Sequence, residues 1–410
     1  MKILLKKIKD KIGNISYVTQ GSAWIFFGKG SSLLASLAIM LIFANFLPKE
    51  TYGAYKYVLS FFAIASLATM PGINTALIRA VARGDESTFF VGEKEKLRWS
   101  FLGILFLFII GAYYVFKGNF ILGGSFFVSS VFLPFQRLVE MFPYVWQGRK
   151  DFKIQNILES ISYIVPAIFL VGALLTTKNL PIIITTYFAS YTFIRGIMYL
   201  YTRKTIKKSP VDNASLLFGR HLTFIQILMR IASQVDKVIL WHFAGPIAVA
   251  TFSFAQMPVQ QLREFIPIQQ LALPKLSTRN VSGMRKTLMP KFWIMMTIMI
   301  PVVVALILIA PAVYNIIFPA YYESVKYFQV LLLGILLIPF SLLNTVFLTE
   351  LKKKELYIIR IIAPLIKIVL YAILTPTIGI WGIVYAILAG QFLDAGLVYY
   401  FFMKMTKYEK

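Results

Sequence analysis

The sequence predicts an all-α polytopic membrane protein with about twelve transmembrane helices. The composition is the first observation: 58% of the 410 residues are hydrophobic and only 14% are charged, whereas about a quarter of a soluble globular chain is charged. The second is a series of apolar stretches, such as 101–116, 161–175 and 294–317, that approach or match the ~20 residues needed to cross a bilayer. The third is an uneven distribution of basic residues among the connecting loops.

The helices follow one another from the N-terminus with short connections. Residues 1–11 form a basic amphipathic stretch with five lysines, and the apolar segment after it, 17–46, is too long for the core of a signal peptide. We therefore expect a first transmembrane helix there. The other predicted spans are 54–78, 97–116, 120–146, 154–176, 181–202, 215–243, 246–273, 291–317, 325–349, 356–375 and 379–403.

The loop charges predict the orientation of these helices. Of the 42 basic residues, 29 lie in or near the two termini and the even-numbered loops, and four lie in the opposite loops: Lys49, Lys117, Lys178 and Lys326. Loops rich in lysine and arginine stay in the cytoplasm. We therefore expect a multi-pass protein of the cell membrane with both termini cytoplasmic. Because these loops explain most of the net charge of +25, that charge does not indicate a nucleic-acid partner.

An internal repeat indicates two halves. Residues 46–57 and 243–254 align as two helix–turn–helix segments with matching aromatic positions, and transporters often contain such repeats. We expect two six-helix bundles of the same orientation, formed by residues 1–208 and 209–410.

Four motifs carry a family resemblance: ANFLPKETYGAY at 44–55, PGINTALIR at 71–79, SQVDKVIL at 233–240 and FPAYYESV at 318–325. They resemble bacterial polysaccharide flippases of the Wzx type, in the multidrug, oligosaccharidyl-lipid and polysaccharide exporter superfamily. The resemblance implies two six-helix bundles around a central cavity. It also implies that the protein moves an undecaprenyl-pyrophosphate-linked oligosaccharide from the cytoplasmic to the outer leaflet for surface polysaccharide biosynthesis. One departure is the turn after helix seven, where Ala250-Thr-Phe252 replaces the tyrosine often found after its glycine.

Basic side chains inside the spans are the candidate substrate contacts. An ionisable group at membrane depth is expected to face a cavity, form a pair or extend to the interface. A cationic cavity would lower the desolvation cost of a pyrophosphate, and arginine can bind its oxygens with two donors. The predicted substrate-binding residues of this cationic cavity are Lys29, Arg137, Arg230 and Arg263. For Arg137 a simple pair with Glu140, three residues on, is equally open.

The acidic residues Asp236 and Glu140 are the candidate coupling sites for a proton or sodium ion, although passive transport stays open. We expect Asp236 to have its partner on another helix, because adjacent Lys237 should point elsewhere and extend to the membrane surface. Arg195 and Arg220 are predicted to be anchors at the cytoplasmic interface. Lys367 and Asp394 are candidates for an interhelical pair, since both lie near mid-depth.

Other functional classes find less support in the sequence. There is no cysteine and there are only two histidines, so the sequence predicts no thiolate metal site, no cofactor and no enzyme. A membrane-embedded glycan polymerase or ligase would be expected to have a large external loop. A cation-coupled small-molecule exporter of the same superfamily would be expected to have acidic cavity residues, and the first helix contains none. The predicted partners are therefore the lipid-linked oligosaccharide pyrophosphate, membrane lipids and a coupling ion if there is one.

Overall fold

The protein is helical throughout the part described by the structure, a computed structural model that covers residues 24, 27–265, 284–349 and 353–407. All regular elements within these ranges are α-helices or short 3₁₀-helices. The basic stretch 1–11 and the end of predicted helix eight, 266–273, lie outside the described residues.

The first nine helices are α1 (Phe27–Phe46), α2 (Lys49–Ala65), α3 (Gly72–Ala82), α4 (Thr88–Phe116), α5 (Phe120–Val139), α6 (Phe142–Gly148), α7 (Phe152–Thr176), α8 (Leu180–Lys204) and α9 (Asn213–Ala232). The remaining six are α10 (Val235–Phe265), α11 (Met284–Ile317), α12 (Val325–Leu332), α13 (Phe340–Thr349), α14 (Lys353–Ile378) and α15 (Ile380–Lys407). Short 3₁₀-helices, Ser66–Thr69, Pro319–Ser324 and Leu333–Leu337, interrupt the spans.

The number of apolar helices agrees with the prediction of about twelve spans. Among the described residues, nine helical segments are long and apolar enough to cross a membrane, and two interrupted pairs raise the number to 11. One of these segments, Asn213–Glu264, has 52 residues. At 1.5 Å per residue it would be about 78 Å long, more than twice the ~30 Å of a hydrocarbon core. Because the backbone of Gly245 is non-helical, with φ 78° and ψ −177°, this segment provides two spans.

Two compact units make up the chain. The first contains Met1–Phe46 and Ala65–Phe224, and the second contains Leu47–Ile64 and Ile225–Lys410. Helix α2 therefore belongs to the second unit although its neighbours α1 and α3 belong to the first. The division into bundles at residue 208 stays a prediction.

Local sequence signals set the helix boundaries in the first unit. The side chains of Asn119 and Asp151 accept hydrogen bonds from Leu122 N and Ile154 N, both at 3.0 Å, which satisfies free N–H groups at the starts of α5 and α7. Small residues allow α4 and α5 to approach closely: a Cβ on Gly123 would lie 3.0 Å from the carbonyl oxygen of Gly111. Such contacts are typical of helices that pack in a bilayer.

The second unit has its own apolar core and a lipid-compatible exterior. Nine buried residues from α11, α13, α14 and α15 form this core: Leu288, Phe292, Leu342, Leu343, Val346, Phe347, Ile359, Val398 and Phe402. Large apolar side chains on the outside of α11 are exposed, among them Leu308 at 73% and Ile316 at 78%. An exposed apolar surface of this extent is expected where lipid, and not water, surrounds the helices.

Candidate functional site

The first unit contains a half-buried ionic cluster around Glu140, which follows α5. The Arg137 Nη1 atom lies 2.7 Å from Glu140 Oε2, and the Arg195 Nη1 atom lies 3.2 Å from Glu140 Oε1. Lys96 also interacts electrostatically with Glu140. We call these four residues the Glu140 cluster. The cluster contains the predicted pair of Arg137 with Glu140. Lys96 of α4 and Arg195 of α8 bring two further positive charges to the same carboxylate.

Arg195 lies inside the first unit, so its predicted role as an interface anchor is wrong. Its side chain is only 12% exposed. The guanidinium carbon lies 5.1 Å from the ring centre of Tyr163 and 5.3 Å from that of Tyr191, both within the range of a cation–π contact. Two aromatic faces and one carboxylate therefore compensate the charge of the Arg195 guanidinium. The side chain of an interface anchor would instead expose this charge to water.

Lys96 is a buried polar residue that lies just before the predicted span 97–116. In the structure it belongs to α4, is 2% exposed and donates a hydrogen bond of 2.7 Å to Asn74 Oδ1. The residue spacing in the sequence indicates that Lys96 belongs to the buried face of α4. Buried Ser100, Gly103 and Leu107 follow it at intervals of four, seven and eleven residues, which places all of them on one face of the helix.

The second unit contains a separate group, Asp236, Lys237 and Gln256, which we call the Asp236 cluster. Lys237 Nζ lies 3.2 Å from Asp236 Oδ1 and donates a hydrogen bond of 2.9 Å to Gln256 Oε1. Gln256 Nε2 donates to Asp236 Oδ2 at 3.0 Å. The expectation that Lys237 points away from Asp236 is therefore wrong. The flexible lysine stem folds back onto its neighbour, and the side chain is buried.

Arg263 is held by neutral acceptors in the second unit. Its Nη2 atom donates hydrogen bonds of 2.5 Å to the carbonyl oxygen of Gly334 and 2.8 Å to Gln391 Oε1. Asp394 interacts electrostatically with Arg263, while Lys367 lies 5.4 Å from the ring centre of Tyr371. The suggested pair of Lys367 with Asp394 is not among the ion pairs of the described residues.

The other two predicted substrate contacts differ from each other in exposure. Lys29 is half-buried on α1, which approaches α7 so closely at Gly28 that a Cβ there would lie 2.1 Å from Asn156 Oδ1. Arg230 is exposed in the last turn of α9. Within the described ranges its guanidinium has no hydrogen bond or ion pair with another side chain, which distinguishes it from Arg263.

A polar contact outside the spans fixes the connection between α8 and α9 in the first unit. Arg149 donates hydrogen bonds of 2.8 Å and 2.6 Å to the two oxygens of Glu86, and the Lys207 N–H donates one of 2.8 Å. Burial raises the pKa of the Glu86 carboxyl, but these hydrogen bonds and the charge of Arg149 hold it below its ordinary value. Glu86 is therefore ionised in the folded protein at neutral pH.

No metal centre accompanies these clusters in the part of the chain that the structure describes. No group of three or more histidine, aspartate or glutamate side chains there is placed to hold a metal ion. The chemistry available at these clusters is that of ion pairs, and Arg230 adds an exposed guanidinium.

Comparisons with known proteins identify a family and a fold. A family model described as polysaccharide biosynthesis protein matches residues 18–278. No curated protein sequence shows significant similarity to the chain.

Three solved structures illustrate the shared fold. An inward-facing multidrug resistance transporter of the MATE family has a TM-score of 0.69 and 14% identity, over 92% of this chain and 95% of the other. The lipid II flippase MurJ has a TM-score of 0.68 and 15% identity, over 95% and 90%. A MOP superfamily transporter from Pyrococcus furiosus has a TM-score of 0.58 and 14% identity, over 96% of each chain. The fold is therefore that of the MOP superfamily.

Proposed function

Since this chain belongs to the polysaccharide biosynthesis protein family, we propose that it is a flippase for a lipid-linked oligosaccharide. The cargo is an undecaprenyl-pyrophosphate-linked oligosaccharide, which moves from the cytoplasmic to the outer leaflet of the cell membrane for surface polysaccharide biosynthesis. Both termini are cytoplasmic in this proposal, as the loop charges favour. Transport proceeds by alternating access of a cationic cavity, while the lipid tails stay in the bilayer.

Arg230 carries the proposal most directly. Its immediate neighbours on α9, Met229 and Ile231, are apolar, yet its own side chain is exposed. A guanidinium within a membrane span is stable only where it meets water, an acid or a ligand. Because a pyrophosphate accepts two parallel hydrogen bonds from a guanidinium, Arg230 has the chemistry to bind the cargo's head group.

The other predicted cationic residues take supporting parts in the proposal. Lys29 is the candidate contact in the first unit. Arg137 and Arg263 are already engaged, because Glu140 and Gly334 respectively accept hydrogen bonds from them. A direct contact of either arginine with phosphate requires it to exchange a present partner.

The rival function, export of a small cation, fits the interior charges less well. A cationic cargo would need a carboxylate that can be vacated, but Glu140 holds two arginines and Asp236 holds a lysine. A membrane-embedded polymerase or ligase finds no support in the family or the fold. Coupling to a proton or sodium through Glu140 or Asp236 would likewise require the carboxylate to release its basic partner.

Deletion and complementation test the proposal. Deleting the chain in its native cell should cause lipid-linked oligosaccharide to accumulate in the cytoplasmic leaflet, measured by extraction and by accessibility to an external glycan-modifying reagent. Arg230→Ala should restore no more than about a tenth of wild-type export. A charge-assisted hydrogen bond contributes about 1.5–3 kcal/mol and 1.4 kcal/mol is a factor of ten. Arg230→Lys should restore an intermediate level.

Arg220→Ala is the matched control, because Arg220 lies on the same helix but pairs with Glu95 at an exposed site. This variant should export normally at equal expression. Full rescue by Arg230→Ala would refute the assigned role of Arg230. Absence of any accumulation in the deletion strain would refute the flippase proposal itself.

A further inference from the structure

The Asp236 cluster has the chemistry of a site for a small monovalent cation. The Lys237 ammonium nitrogen lies 2.9 Å from Gln256 Oε1 and 3.2 Å and 3.4 Å from the two Asp236 carboxylate oxygens. The ring centre of Phe252 lies 5.6 Å from the same nitrogen, close enough for a cation–π contact. We propose that Asp236 and Gln256 form a monovalent-cation site that the Lys237 ammonium permanently occupies.

Burial makes a cation necessary at this position. Asp236 is 0% exposed and Lys237 is 9% exposed. The start of α10 provides a partial positive charge, and the Lys237 N–H donates a hydrogen bond of 2.8 Å to Asp236 Oδ1. These dipoles compensate only part of a full negative charge. A carboxylate left in the interior without a counter-charge is strongly destabilising, so the ammonium supplies what the backbone cannot.

Gln256 gives the site its selectivity for a single charge. Its Nε2 atom donates to Asp236 Oδ2 at 3.0 Å while its Oε1 atom accepts from Lys237 Nζ. Both ends of the amide are used, so the orientation of the side chain is fixed. Because glutamine adds a neutral oxygen, the site balances one positive charge; a second carboxylate would have favoured a divalent ion.

The surroundings disfavour the entry of a further cation while Lys237 is present. Lys56 of α2 interacts electrostatically with Lys237, and Lys367 of α14 interacts electrostatically with both Lys237 and Asp236. Tyr371 of α14 lies within electrostatic reach of Asp236, and its buried hydroxyl has no hydrogen-bond partner among the described residues. A cation that replaced the ammonium would find in this hydroxyl an additional oxygen.

The pair of Asp236 and Lys237 has a consequence that is independent of the cargo. With its own ammonium in place, the second unit has no need of a sodium or potassium ion at Asp236. Without the ammonium, the same oxygens should bind one.

The experiment measures cation-dependent stability of the purified full-length protein in detergent. Melting midpoints of wild type and Lys237→Met are compared in NaCl, KCl and choline chloride at equal ionic strength. The wild-type midpoint should be the same in all three salts. The Lys237→Met midpoint should be low in choline and should rise saturably with Na⁺ or K⁺, by at least about 5 °C, because a ligand that binds only the folded state stabilises it.

Three variants control for unrelated effects of removing a buried lysine. Lys96→Met removes a buried ammonium that donates to the neutral amide of Asn74. The carboxylate near it, Glu140, keeps Arg137 and Arg195 as partners, so this variant should not respond to the cation. The double variant Asp236→Asn/Lys237→Met removes the carboxylate and should also be unresponsive. Lys237→Arg keeps the charge and should behave as wild type does.

Several results would overturn the proposal. One is a saturable, cation-specific stabilisation of the wild type, which would mean that the ammonium does not fill the site. Another is a Lys237→Met protein that is equally stable in all three salts. If Lys237→Met cannot be purified in any salt while the double variant can, no small cation replaces the ammonium. If neither can be purified, the pair's role is not charge compensation.

Discussion

Replacement of Glu140 by glutamine should destabilise the first unit much more than the same change at Glu95. Glu140 lies between Arg137 at 2.7 Å and Arg195 at 3.2 Å, and Lys96 adds a third positive charge. The amide keeps the shape of the side chain and removes its charge. Three bases would then remain in the interior with their common carboxylate missing.

The expected magnitude follows from the burial of these groups. The side chains of Arg137, Arg195 and Glu140 are 24%, 12% and 22% exposed, so water screens their charges only weakly. Removing one partner of a buried ion pair costs about 3–5 kcal/mol. For a unit of about 200 residues, 1 kcal/mol corresponds to about 2–4 °C. We therefore expect the melting midpoint to fall by roughly 6–20 °C.

The assay is thermal unfolding of the purified protein, followed by tryptophan fluorescence, with Glu95→Gln as the matched control. Glu95 is itself 14% exposed, but its partner Arg220 is 48% exposed, so water solvates the base that the substitution leaves behind, and a pair of this kind contributes about 0–1 kcal/mol. Glu95→Gln should therefore shift the midpoint by no more than about 4 °C. Equal shifts for the two variants would refute the reasoning that Glu140 compensates buried charge.

Two further predictions concern packing and pH. Gly53→Ala should prevent normal packing of the second unit, because its Cβ would lie 1.9 Å from the carbonyl oxygen of Pro246. Gly124→Ala, where a Cβ meets nothing within 4 Å, should be neutral or slightly stabilising. Equal yields of folded protein for Gly53→Ala and Gly124→Ala would contradict the packing requirement at Gly53. The pKa of Glu86 is lowered on folding from about 4.5, so its stabilising contribution is full above that pH and is lost as pH falls through the folded value. The melting midpoint should therefore fall below pH 4.5 more steeply in wild type than in Glu86→Gln, and identical pH profiles would contradict the role of its pair with Arg149.

The sequence predicted the helices well because a bilayer requires long apolar segments and leaves few alternatives. The break at Gly245 could be foreseen from its position between two apolar segments, and the structure shows why glycine stands there, since φ is 78°. The interruptions at Ser66–Thr69 and Leu333–Leu337 stand directly before Pro71 and Pro339. Proline alone does not predict such a break, because Pro134 and Pro166 lie inside continuous helices.

The candidate site was less predictable, for reasons of side-chain reach and partner choice. Helical geometry separates the directions of Asp236 and Lys237, but a flexible lysine stem spans that separation. Arg195 resembled an anchor because a basic residue near a span end usually is one. Its aromatic partners Tyr163 and Tyr191 lie 32 and four residues away in sequence, and only tertiary packing brings the first of them close.

The interior charges suggest that the number of basic residues in the spans overstates the positive charge available to a phosphate. Glu140 already holds Arg137, and Asp236 already holds Lys237. A base that neutralises a fixed acid presents little field to a ligand, whereas Arg230, exposed and without such a partner among the described residues, presents its full charge. Substitutions in the two acid-centred pairs should therefore lower stability first and transport only as a consequence. Substitution of Arg230 should lower transport while leaving the melting midpoint near that of wild type, and this separation distinguishes a cargo contact from a structural charge.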